Sequence, residues 1–114
     1  MQAIGNMGEE VAASFFLDRG ARVMEQNFRY KRSEIDLVLL WENVMVFVEI
    51  KTRKNSEFGN PENFISENQQ DKIREAAEIV QEIYRWTGPV RFDVLSIIAD
   101  QGKIQELFHL ADAF

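Results

Sequence analysis

Two apolar stretches, Ile35–Trp41 and Val44–Lys51, are separated only by Glu42-Asn43, and this spacing constrains the fold more than any other feature. Each stretch is rich in Val, Leu, Ile and Phe, and the two-residue polar break predicts an antiparallel strand pair joined by a tight turn. Both are apolar at successive positions rather than alternate ones, so both faces of the pair must be covered. Such a pair belongs in the middle of a sheet with other elements packed on each side.

The rest of the chain supplies those elements. Apolar spacings of three and four among Ile4, Met7, Val11 and Phe15, with Ala12, Phe16 and Leu17 beside them, predict a helix from about Ile4 to Arg19, capped by Gly20. Gly5, Gly8, Glu9 and Ala12 fall together on that helix; small residues there allow a close approach to the sheet, with Glu9 pointing into the gap. Arg22–Arg29 reads as a first strand, and Thr52–Phe64, with its Asn, Ser, Gly and Pro, as a loop. A second helix runs from about Glu67 to Trp86. Ser66-x-x-Gln69 matches a capping box at its start, Ile73, Ala76, Ala77, Val80, Ile83 and Tyr84 supply its buried stripe, and Gly88-Pro89 stops it. Val90–Ile98 and Ile104–Leu110 then read as strands around the turn Asp100-Gln101-Gly102. The order αβββαββ, in 114 residues, is that of a single α/β domain.

Composition removes several function classes. There is no cysteine, which excludes disulfides and thiolate metal sites, and the one histidine, His109, excludes a histidine-based metal centre. No apolar run reaches the roughly 18 residues of a membrane span, and the stretch MQAIGNMGEE has neither the basic start nor the apolar core of a secretory signal. A cytoplasmic location is the expectation. A net charge of −6 argues against a general electrostatic nucleic-acid binder. The charge is uneven, however: residues 19–54 hold eight of the 13 Lys and Arg against five acids, while residues 55–114 hold five against 11. A phosphate partner is therefore confined to one local face.

That basic segment also holds the polar groups that interrupt the apolar strand pair. Glu49 and Lys51 are two apart on one strand and share a face, and the hairpin brings Asp36 beside Glu49. Two carboxylates and an ammonium at one end of an apolar sheet are costly unless they compensate one another or bind something. An ordinary ion pair satisfies that condition; so does a hard divalent cation, Mg²⁺ or Mn²⁺, held by Asp36, Glu49 and the Ile50 carbonyl. Such a cation neutralises charge on an attacked phosphate and makes water nucleophilic at neutral pH. Lys51 would orient that water or meet the developing charge, and Glu9 would add a fourth wall. Arg29, Lys31 and Arg32 form the best candidate phosphate-contact patch, equally readable as a solvated turn, and Tyr30 offers a ring on which a base can stack. Asp93 reads as an internal ion pair, Glu34 as a solvated surface acid, Gln69 as a partner of the Ser66 cap, His109 as a core or surface residue, and Phe15, Phe16, Phe47, Phe92 and Phe108 as core.

The strings GNMGEEVAASFFLDRG, SEIDLVLL, VFVEIKTR, FGNPE, RFDVLSI and HLADAF resemble, in order and over nearly the whole chain, the YraN family of small uncharacterised bacterial proteins. The resemblance implies a restriction-endonuclease-like three-layer fold, with a central mixed sheet of about five strands flanked by two main helices. It is similar to that of Holliday-junction resolvases and tRNA-endonuclease-like domains. It also implies that Asp36, Glu49 and Lys51 are the Asp and Glu-x-Lys of a PD-(D/E)xK signature, that Glu9 is the helix acid of the resolvase-like branch, and that Arg53 is the Arg of the family's VEVKTR-type string. Two positions depart from the family pattern: Ser33 stands where many relatives have Gly, and Gln69 where relatives usually carry Lys. The implied activity is metal-dependent hydrolysis of phosphodiester bonds in nucleic acid, DNA ahead of RNA, with catalytic residues Glu9, Asp36, Glu49 and Lys51. By analogy with the resolvases a homodimer is expected. The alternative is a catalytically silent module on the same scaffold that binds nucleic acid or protein.

Overall fold

The computed structural model describes residues 3–54 and 65–114, with side chains from residue 7 onward. Most of the expected Thr52–Phe64 loop, including the FGNPE string, lies outside the described residues, as does the Ile4 side chain. The elements follow in the expected order: α1 (Ala3–Leu17), β1 (Arg22–Tyr30), β2 (Ser33–Trp41), β3 (Val44–Arg53), α2 (Glu67–Tyr84), β4 (Val90–Asp100) and β5 (Lys103–Leu110). The five strands form one sheet in chain order. Hairpins join β1 to β2, β2 to β3 and β4 to β5 as antiparallel pairs, while β3 and β4 run parallel because α2 carries the chain back between them. The result is the mixed α/β sheet with two helices that the sequence predicts.

Turn chemistry explains the hairpins. Glu42 and Asn43 both adopt positive φ (54° and 67°), as do Gln101 (52°) and Gly102 (78°), which is the geometry that matches the twist of two-residue hairpins. Helix α1 ends where expected: Gly20 takes φ 95°, and the Gly20 and Ala21 N–H groups donate to Leu17 and Phe16 carbonyls at 3.0 Å each. Helix α2 ends two residues before the expected Trp86, because Arg85 itself takes the left-handed conformation (φ 53°) and its N–H reaches back to close the last turn. Beyond it, the Trp86 ring lies over Gly88, where an added Cβ would come within 2.8 Å of the ring.

Each helix seals one face. Ala12 and Phe16 of α1 pack with Leu37, Leu39, Val46, Val48, Leu95 and Ile97. Ile73, Ala76, Ala77 and Val80 of α2 pack with Ile35, Val38, Met45 and Phe47. Complete burial of Phe16 or Phe47 stabilises the fold by roughly 1.5–3 kcal/mol per side chain. Three residues expected to be buried are not. Ile83 and Tyr84, from the stripe of α2, are 59% and 36% exposed, because the stripe ends at Val80, and Phe108 is 55% exposed; Leu17, at the end of α1, is 53% exposed. Leu17 closes the helix on its solvent side, and Phe108 projects from the edge strand β5 on the face opposite His109.

The small residues of α1 do allow a close approach. A Cβ built on Gly8 would lie 2.8 Å from Thr52 Oγ1 on β3. Gly8→Ala sets overpacking of about 1–3 kcal/mol against a helix-propensity gain of about 1 kcal/mol. A net loss near 1 kcal/mol is expected in the native sequence, and a gain of similar size in a Thr52→Ala background, where only the propensity remains. Urea unfolding of the four proteins of that cycle measures both.

Candidate active site

Strand β3 alternates cleanly. Val46, Val48 and Ile50 turn toward α1, so Glu49 and Lys51 turn toward α2. The β2–β3 ladder runs from Trp41–Val44 to Leu37–Val48, and one further step of the register sets Asp36 opposite Glu49. There the Ile50 N–H donates to Asp36 Oδ2 at 2.7 Å. The Asp36 and Glu49 carboxyls are electrostatic neighbours, Lys51 Nζ lies 3.5 Å from Glu49 Oε2, and Gln69 Nε2 of α2 donates to the same Oε2 at 3.0 Å. Asp36, Glu49 and Lys51 therefore meet as the hairpin geometry predicts.

A local inversion of β1 and β2 aims Asp36 at β3. Ile35 belongs to the α2-side core but Leu37 to the α1-side core, although residues two apart on a regular strand share a face. Strand β1 does the same: Phe28, paired with Ile35, packs on the α2 side. Between these pairs Asn27 and Asp36 lie side by side, and Asn27 sits at φ 54°, a left-handed conformation that Asn tolerates better than most residues. Strict alternation fails at this one pair, and there the carboxyl turns into the gap between strands.

The site lies in a cleft of ≈260 Å³ lined by Arg32, Ser33, Glu34, Asp36, Glu49, Gln69, Lys72 and Ile73. Burial is the main reason that Asp36 is raised from 3.8 to about 7; the neighbouring Glu49 charge adds to it, the Ile50 N–H opposes it, and Glu34 and Glu9 add smaller contributions. Burial also raises Glu49, against the pull of Lys51 and of the hydrogen bonds from Lys51, Asp36 and Gln69. Two carboxyls that resist ionisation side by side are a strong local demand for positive charge.

Several single-residue readings change. Glu9 stands on α1, over the other face, and lines a hollow with Glu10, Ala13, Ser14 and Gln26, while its charge adds to the rise of Asp36. Its hydrogen-bonded link toward the site is through Asn27 Nδ2, 3.4 Å from Glu9 Oε1. Glu34, expected as a solvated surface acid, lines the cleft and pairs with Arg29 at 3.4 Å. The Gln69 backbone N–H takes the Ser66 cap at 3.1 Å, which frees its side chain for Glu49. The basic patch divides: Arg29 pairs with Glu34, Lys31 lies 3.8 Å from Glu75 on α2, and Arg32 faces the cleft. Arg53, at the end of β3, lines another hollow with Thr52, Lys54 and the β4–β5 turn. Lys72 was not singled out from the sequence; its place one turn beyond Gln69 on α2 was the available signal.

Asp93 stays apart, on the α1 side. It is fully buried and held by Arg91 through two contacts of 2.8 Å, by His109 at 2.8 Å and by the Asp112 N–H at 2.9 Å. It is the internal ion pair expected. His109 is half-buried, stacked on Trp41 at 5.9 Å and edge-on to Phe16 at 5.1 Å.

Among the described residues no three His, Cys, Asp or Glu side chains gather as a metal cluster. The oxygen pair of Asp36 and Glu49 fits Mg²⁺ or Mn²⁺ in the mode that uses one or two carboxylates, with water and substrate completing the shell. No helix among the described residues is long and apolar enough to cross a membrane.

The sequence profile of the uncharacterised protein family UPF0102 matches residues 8–97, a span that contains the whole cleft. The likeness extends further in individual relatives. A UPF0102 protein of Cytophaga hutchinsonii is 37% identical over 108 residues, covering 95% of this chain and 92% of its own. One from Caldanaerobacter subterraneus is 33% identical over 117 residues (99% and 95%), and one from Rhodococcus opacus 34% over 113 residues (98% and 96%). With the profile spanning most of the chain and such relatives along nearly all of it, this chain belongs to the UPF0102 family, the YraN family.

Proposed function

We propose that the cleft is the active site of a metal-dependent nuclease that hydrolyses phosphodiester bonds in nucleic acid, DNA ahead of RNA. One observation carries the reading: two recessed carboxyls, Asp36 and Glu49, face each other beside Lys51 with both ionisations suppressed. Mg²⁺ or Mn²⁺ would be held by Asp36 and Glu49, with the Ile50 carbonyl as a further oxygen. Bound there, the cation supplies the charge that neutralises the attacked phosphate and acidifies water. The chain's own groups do the rest. Ile50 N–H fixes Asp36, while Gln69 and Lys51 fix Glu49, so neither carboxylate needs to reorganise during the reaction. Lys51, 3.5 Å from Glu49 Oε2, would hold a proton donor beside the carboxylates, where it can orient the attacking water or meet charge on phosphorus.

The test is a panel of single-stranded, duplex and branched substrates incubated with purified protein and Mn²⁺. Cleavage of at least one substrate is expected, and its loss in Asp36→Ala. Cleavage that persists in that variant, or no cleavage of any substrate by the native protein, would sink the reading; the second result leaves the silent module as the function of the scaffold.

A further inference from the structure

Of the cations around the cleft, two are not committed to acids. Arg29 and Lys31 are engaged with Glu34 and Glu75, and Lys51 with Glu49. Arg32 and Lys72 line the cleft from opposite walls, the β1–β2 turn and the first turns of α2, and neither makes an ion pair among the described residues. Lys72 is exposed at its helix surface yet borders the recess that holds Asp36 and Glu49. The cleft thus presents acids at its floor and uncommitted cations at its rim. A group with anionic oxygens at the rim and a centre to be attacked below fits that order of charge.

We infer that Arg32 and Lys72 form a phosphate-holding subsite that grips one strand of nucleic acid across the cleft, making the substrate class single-stranded or frayed rather than continuous duplex. This rests on the nuclease reading for what happens to the strand, but not for its binding. Gln69 is spent on Glu49, so Lys72, one helical turn along, is the cation that α2 presents to the cleft. The one-strand limit comes from the charge on either side. The exposed charged residues of α2 are five acids, Glu67, Asp71, Glu75, Glu78 and Glu82, against two bases, Lys72 and Arg74, and among the described residues only Glu75 of the acids is paired, with Lys31. A second phosphate backbone lying beside the first would run along that acidic surface. The footprint is short: two or three phosphates, gripped by Arg32 and Lys72.

The experiment measures binding of a short labelled single-stranded deoxyoligonucleotide by fluorescence anisotropy, without divalent metal, over a salt series. Each phosphate contact on a single strand contributes roughly −0.7 to the slope of log K against log salt. A native slope of roughly −1.4 to −2 is expected. Lys72→Gln should weaken binding roughly tenfold and flatten the slope by about 0.7. Lys72→Arg should restore both, and Lys103→Ala at the β4–β5 turn should leave both unchanged. The matching duplex should bind more weakly. Equal affinity and slope in Lys72→Gln, no binding by the native protein, or tighter binding of the duplex would each overturn the inference. Because the readout is binding, native protein that binds in this pattern but never cuts refutes the nuclease reading alone. Cleavage that is indifferent to Lys72 refutes the subsite alone.

Discussion

Asp93→Ala is expected to destabilise the fold by about 3–5 kcal/mol, the largest stability change of any single substitution considered. The Asp93 side chain is 0% exposed, and its removal leaves the Arg91 guanidinium and His109 at 29% and 17% exposure without their partner. It also releases the Asp112 N–H, which helps to hold the segment after β5 against β4, next to the Ala113 N–H donated to the Phe92 carbonyl at 2.7 Å. For a domain whose whole stability is about 5–15 kcal/mol, this is a large share. Urea denaturation followed by tryptophan fluorescence reports it, since Trp41 stacks on His109. The pH dependence has a fixed sign. Burial works to raise the Asp93 carboxyl, but His109, Arg91 and the Asp112 N–H outweigh it and hold the group below 3.8. A carboxyl lowered in the folded state contributes stability that is complete above its unfolded value and is lost as pH falls through the folded one. Acid should therefore destabilise the native protein through this cluster at low pH, and Asp93→Ala should lack that component.

Asp36 carries the opposite sign and the largest expected effect on activity. Its folded pKa is raised to about 7, so the folded state holds this proton more tightly than the unfolded chain does. The cost of ionising it is absent below about pH 4 and fully present above pH 7. Metal-free native protein should lose stability through this group between those limits. Asp36→Asn keeps an acceptor for the Ile50 N–H and removes the charge. At pH 8 it should be more stable than the native protein by on the order of 1–3 kcal/mol, measured by thermal or urea unfolding, while cleavage falls by roughly two to three orders of magnitude. A substitution that stabilises the fold and removes activity is the signature of a site built at the expense of stability. By the same charge logic, if Mn²⁺ is held at Asp36 and Glu49 as proposed, it should raise the thermal unfolding midpoint more at pH 8 than at pH 5.5.

Much of this arrangement is written in local sequence. The two-residue break at Glu42-Asn43 sets the β2–β3 hairpin and, with it, the meeting of Asp36 and Glu49. Period-two alternation on β3 puts Glu49 and Lys51 on one face. The elements themselves follow from apolar spacing and turn residues, with ends that differ by one or two positions where an unusual backbone intervenes, as at Arg85. What alternation could not show is the inversion at Asn27 and Asp36, because a positive φ at a non-glycine residue leaves no periodic trace. The same gap explains Glu9 and Glu34. A helical wheel gives a residue's side of its helix but not which sheet face that helix will cover, so Glu9 was expected in a cleft that α2, not α1, completes. Glu34 keeps the alternation, partly exposed between buried Ser33 and Ile35, but sits at the start of β2 where the strand borders the cleft, a position alternation alone does not reveal. Lys72 was passed over because an exposed lysine on a helix of mixed charge has no distinguishing pattern; only the packing of α2 beside β3 brings it to the cleft.

Calorimetric titration of Mn²⁺ into the native protein, Asp36→Asn and Glu49→Gln at pH 7.5 tests the metal-dependent site most directly. The native protein should bind one ion per chain and release protons as it does so, since carboxyls whose ionisation is suppressed must ionise to hold the cation. Both variants should lose that binding while remaining folded. Binding of equal strength in the variants, or none in the folded native protein, would contradict a divalent-metal site at Asp36 and Glu49.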